Sequence, residues 1–72
     1  MMERAFYQFA LKYRGKLEQD EYSRFADMMF LDHSFPKTSS DFQELSQYIE
    51  EKAHPVLTAS TFDQMWEEYE AG

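Results

Sequence analysis

Apolar residues recur at intervals of three and four along most of the chain, the spacing that lines one face of an α-helix. In ERAFYQFALKYRG the stripe is Phe6, Phe9, Ala10 and Tyr13, and Gly15 stands where a left-handed cap ends a helix. In DEYSRFADMMFLDH, Asp20 is the expected N-cap and Tyr22, Phe25, Ala26, Met29 and Phe30 form the inner stripe. Glu21, Arg24, Asp27 and Met28 lie on its other side. A third helix starts in TSSDFQELSQYIEEKAH, where Ser40 and Gln43 have the form of a capping box. Its stripe is Phe42, Leu45 and Ile49, with Tyr48 alongside, and Pro55 closes it. The fourth, TASTFDQMWEEYEAG, starts from Thr58 or Ser60, with Phe62, Met65, Trp66 and Tyr69 inward and Asp63, Glu67 and Glu70 outward.

No stretch alternates with period two for long enough to make a strand. Four short amphipathic helices with short connections predict an all-α fold of two helical hairpins that bury their stripes against each other. Residues 1–72 are read as a single domain, because a chain this short has room for one hydrophobic core. There is no repeat, low-complexity tract or linker to divide it.

Composition explains how so small a core could hold. There is no cysteine for a disulfide, but aromatic residues make up 18% of the chain: seven Phe, five Tyr and the single Trp66. Each ring buries far more area than an aliphatic side chain, so rings take the place of cross-links. The lack of cysteine, of a signal peptide and of a long apolar run leads to the expectation of a cytoplasmic protein with no membrane span. A net charge of −7 disfavours nucleic acid, since fourteen acids against seven bases repel a polyanion.

The stretch LDHSFPKTSSDF sets Asp32, His33 and Ser34 side by side and raises the possibility of a hydrolase triad. Adjacent side chains diverge by about 100° on a helix and point to opposite sides of an extended segment, so the three cannot converge on one atom. The economical reading is a structural corner. Pro36 pushes Phe35 out of helical dihedrals, so the second helix stops near His33 and Phe35 turns inward as an anchor between the hairpins. Asp32, Ser34, Thr38, Ser39 and Ser40 then bond loose backbone groups and cap the next helix.

Other chemistry has little to stand on. His33 and His54 match no short metal-ligand spacing and sit at expected helix ends, where imidazoles complement the dipole. The acidic pairs Glu50-Glu51 and Glu67-Glu68 look like solvated faces rather than carboxylates set apart in a cleft. No catalytic residue, metal or cofactor is therefore expected.

Three blocks, FYQFALKYRG, FADMMFLDHSFPKTSSDFQELSQYIE and STFDQMWEEY, resemble the YozE-like, SAM-like family of small Firmicutes proteins over nearly the whole chain. The resemblance implies a sterile-alpha-motif-like fold of two roughly orthogonal helical hairpins. It transfers no catalytic or ligand-binding role: His33, Phe35, Pro36, Phe62 and Trp66 match as motif residues only.

The function expected from the residues is a non-enzymatic protein–protein interaction or adaptor module, monomeric or weakly dimeric, with an unidentified protein partner. Tyr7, Met28, Tyr48 and Tyr69 are its candidate contact residues. The alternative is nucleic-acid backbone binding through the basic cluster Lys12, Arg14 and Lys16.

Overall fold

The computed structural model describes residues 4–15 and 20–71. Four helices follow one another: α1 (Phe6–Ala10), α2 (Glu21–Leu31), α3 (Phe42–Lys52) and α4 (Ala59–Ala71). Among the described residues there is no strand. The expected all-α class with four helices therefore holds. α4 packs against each of the other three.

Local chemistry accounts for most of the helix ends. The Asp20 carboxylate caps α2 by accepting from the Ser23 N–H at 2.8 Å, as its side-chain type predicts. Pro36 lies four residues beyond Asp32, the C-cap of α2, and Phe35 has left the helix as expected. α4 is capped by Thr58, whose hydroxyl accepts from the Thr61 N–H at 3.3 Å.

Three details differ from the sequence reading. α1 is short and tightens into a 3-10 turn over Leu11–Tyr13, so Gly15, at φ 76°, is separated from it by the extended Arg14. α3 is capped by Asp41, not Ser40: the Asp41 carboxylate accepts from Gln43 N–H at 3.0 Å. Ser39 supplies the reciprocal partner, accepting from Asp41 N–H at 3.1 Å and donating to Glu44 at 2.8 Å. The left-handed residue that ends α3 is Ala53, at φ 51°.

The core is aromatic at its centre. Phe6 is fully buried, with its ring centroid 5.1 Å from Phe62, 6.4 Å from Phe25, 5.8 Å from Trp66 and 5.7 Å from Tyr69. One side chain of α1 thus touches rings from α2 and α4. Met29, Leu45, Ile49 and Met65 complete the buried stripes, and Leu57 enters from the α3–α4 connection, where no periodicity marks it. The N–H of Phe6 also bonds the Ser39 carbonyl at 3.4 Å, which ties the start of α1 to the segment before α3.

Phe30 and Phe42 stand apart from the expected stripes. Their spacing predicts both inward, yet they are 44% and 38% exposed. Each lies at an end of its helix, where fewer neighbouring turns flank a side chain than in the middle.

Candidate functional site

The corner is built around Asp32, the residue that ends α2. Its carboxylate accepts from the hydroxyl of Tyr48, from Lys52 Nζ at 3.2 Å and from the Ser34 N–H at 3.1 Å. Tyr48 and Lys52 are four apart on α3 and so share a face. Burial pushes the Asp32 carboxyl up, but these three donors outweigh it and hold the group below its ordinary value. Burial and the bond to Asp32 push the Tyr48 phenol up, and the same carboxylate raises Lys52. Near neutral pH the set is thus a carboxylate, a phenol and an ammonium, each kept in its ordinary charge state. Such an arrangement fastens α2 to α3.

His33 and Ser34 take no part through their side chains in this bonding. Both are exposed, and Ser34 contributes only its backbone N–H. Phe35 is 3% exposed, packed against the rings of Tyr7 at 5.9 Å and Tyr48 at 5.5 Å; Pro36 behind it is half-buried. His54, at the other expected helix end, accepts from the Val56 N–H through Nδ1 at 3.0 Å.

The cations of the basic cluster are spread over aromatic rings. Lys12 Nζ lies 4.4 Å from the Phe9 centroid and 5.3 Å from that of Tyr13. The Arg14 guanidinium sits 3.7 Å over Phe30 and its Nε is 3.4 Å from Asp27. Lys16 falls outside the described residues. Arg4, Lys37 and Lys52 cover Phe9, Tyr7 and Tyr48 in the same way. The bases therefore act as covers for the ring-rich core, a role their charge and long stems both suit.

Of the apolar candidates, Tyr7 is buried in the core, while Met28, Tyr48 and Tyr69 are half-buried against it. Tyr48 is held by Asp32; Tyr69 donates to the Arg4 carbonyl at 2.5 Å and packs on Trp66 at 4.8 Å. The large apolar side chains that the described residues do expose are Phe30, Leu31 and Phe42. Phe42 stacks on Phe62 at 5.4 Å and meets Trp66 edge-on at 5.3 Å, forming a shelf where α3 and α4 meet. Period alone could not single these residues out; their positions at helix termini were the available signal.

Charge is distributed unevenly around this shelf. α3 and α4 carry seven carboxylates, all exposed, against the one ammonium of Lys52. A shallow depression follows α3 along Phe42, Gln43, Ser46, Gln47, Glu50 and Glu51. Among the described residues no three acidic or imidazole side chains are grouped to hold a metal, and no helix is long and apolar enough to cross a membrane.

Residues 5–71 match the family model described as the YozE SAM-like fold. A UPF0346 protein of Bacillus velezensis is 49% identical over 93% of this chain and 90% of its own length. The UPF0346 protein YozE of Bacillus subtilis is 46% identical over 94% of this chain and 92% of its own. A UPF0346 protein of Leuconostoc mesenteroides is 45% identical over 96% and 92%. No solved structure matches. With the family model covering nearly the whole chain and relatives aligned almost end to end, this chain belongs to the YozE SAM-like family.

Proposed function

We propose that this is a non-catalytic protein–protein interaction module of the cytoplasm. The observation that carries the reading is the display of Phe30, Leu31 and Phe42 at helix ends, where the other large apolar side chains among the described residues are covered. Leaving rings in water forgoes part of the stabilisation their burial gives, a sacrifice that contact with another macromolecule recovers. Tyr7 and Tyr48 are engaged with Phe35, and Tyr69 with Trp66, so these tyrosines serve the fold rather than meeting a partner themselves. The corner of Asp32, His33, Ser34, Phe35 and Pro36 serves the frame.

Nucleic-acid backbone binding through Lys12, Arg14 and Lys16 is the weaker reading. Lys12 and Arg14 are engaged with rings and, for Arg14, with Asp27, and the chain as a whole carries a net −7 that repels a polyanion. Two measurements test the proposal. Tagged protein should retain a partner from its own cells that is lost when Phe30, Leu31 and Phe42 are replaced by serine without loss of fold. It should pass through heparin at low salt unretained; salt-sensitive retention would instead favour the nucleic-acid reading.

A further inference from the structure

We propose that the Phe42–Trp66 shelf between α3 and α4 docks a cationic amphipathic segment of another protein, with an apolar residue on Phe42 and lysines or arginines along Glu50 and Glu51. The inference rests on the interaction reading above and names its surface and the chemistry of its partner.

The shelf supplies the anchor. Phe42 is 38% exposed yet fixed from below, stacked on Phe62 and edge-on to the half-buried Trp66. A ring already held in place loses little freedom on binding, the property of a good contact residue. Phe30 and Leu31 are the other exposed large apolar side chains among the described residues, but the Arg14 guanidinium covers the Phe30 ring at 3.7 Å. Phe42 has no such cover among the described cations.

Charge selects the occupant. α3 and α4 hold a net −6 of the chain's −7, and Lys52, their one base, is turned to Asp32. A second copy of this chain would bring like charge to like charge, as would nucleic acid or an anionic membrane. A cationic segment is attracted. The depression along α3 runs from Phe42 to Glu50 and Glu51, so the apolar and charged contacts are eight residues apart, about 12 Å of helix. A helix laid along α3 can meet both ends; Asp63, Glu67 and Glu70 flank Trp66 on α4 and extend the field. Recognition then has two parts, a ring contact for affinity and charge for approach and orientation.

Trp66 is the only tryptophan and lies in the shelf, so its fluorescence reports occupancy directly. The probe is a helical lysine–leucine peptide with its leucines on one face, titrated into the full chain. A saturable change in Trp66 emission is expected, weakening roughly tenfold or more as salt rises from about 50 to 500 mM. Phe42→Ser should weaken binding about tenfold, as loss of an interface anchor does. The exposed double substitution Glu50→Lys, Glu51→Lys, which leaves the core untouched, should weaken it at least as much. A lysine–alanine peptide should bind far more weakly, and a glutamate–leucine peptide not at all. The proposal is overturned by an absence of saturable binding, by equal affinity for either variant, by binding that leaves Trp66 unchanged, or by a concentration-dependent Trp66 shift without peptide, which would mean self-association. If the cellular partner is lost on replacing Phe30 and Leu31 but kept by Phe42→Ser, the interaction reading survives and this surface does not.

Discussion

The hydroxyl of Tyr48 donates to the carboxylate of Asp32, so a residue midway along α3 holds the residue that ends α2. Lys52 reaches the same carboxylate from the next turn and lies 5.8 Å over the Tyr48 ring. The polar corner and the aromatic anchor are one structure, because the Tyr48 ring also packs against Phe35.

Because the folded carboxyl lies below its ordinary value of 3.8, its contribution is present above that pH and is lost as pH falls through the folded value. Asp32→Asn should destabilise the protein at pH 7 by about 1.5–3 kcal/mol, the range for hydrogen bonds to a charged group. Urea unfolding at pH 7 and near pH 2 checks this: the gap between the two proteins should narrow in acid. A gap that stays constant would assign the effect to packing rather than to charge.

Phe35→Ala should cost about 3–5 kcal/mol, since it removes a buried ring from between Tyr7 and Tyr48. His33→Ala and Ser34→Ala should each stay within about 0.5 kcal/mol, because both side chains are exposed and the Ser34 N–H survives substitution. Thermal melts of the three variants decide the matter. A large loss from either polar substitution would mean that the triplet is more than a corner.

How much of this was legible in the sequence depended on range. The stripes through Phe6, Phe9, Phe25, Met29, Leu45 and Phe62 follow from a local period, and all of them are buried. The cap of α3 was harder, because TSSD offers four capping residues in a row; the choice falls on Asp41 where Ser39 is pinned to Phe6 through its carbonyl and to Glu44 through its hydroxyl. The Asp32–Tyr48 bond spans sixteen residues and the Arg14 cover of Phe30 spans a connection between helices, so neither leaves a trace in spacing. For the same reason the exposure of Phe42 could not be read: whether a stripe residue is covered depends on where its neighbour ends.

Three tyrosines should ionise late in alkali. Burial and then the hydrogen bond to Glu68 push Tyr13 up to about 12; burial and the nearby Glu68 raise Tyr22, and burial with Asp32 raises Tyr48. Phenols raised by folding contribute stability below the unfolded value of about 10 that is lost as pH rises through the folded values. Phenolate absorbance should therefore show a component near pH 12 that Tyr13→Phe removes. Glu68→Gln should move it downward part of the way, leaving the share due to burial. An unchanged titration in the Glu68 variant would contradict the contact.

Ser23 is fully buried in the first turn of α2, and its hydroxyl has no hydrogen-bond partner among the described residues. An unsatisfied buried hydroxyl costs about 1–3 kcal/mol, and alanine also favours the helix by a few tenths. Ser23→Ala should therefore stabilise the protein, by about 1 kcal/mol after allowance for lost contacts. The Asp20 cap is unaffected, since it uses the Ser23 N–H. A lowered melting temperature would show that the hydroxyl finds a partner in solution.

Ala53 and Gly15 offer a matched test of backbone strain. Both have positive φ, 51° and 76°, a region that penalises a Cβ by roughly 1–2 kcal/mol. A methyl group added at Gly15 would meet no atom of the described residues within 4 Å, so Gly15→Ala probes the dihedral there without a clash. Ala53→Gly relieves the same strain but gives the unfolded chain more freedom, which cancels part of the gain. Gly15→Ala should lower stability by about 1 kcal/mol, and Ala53→Gly should raise it by about 0.5 kcal/mol. A shift of about 4–8 °C per kcal/mol is expected for a domain of this size, so paired melts resolve both signs. If Ala53→Gly lowered stability as Gly15→Ala does, the freedom given to the unfolded chain would outweigh the strain relieved at Ala53, against this expectation.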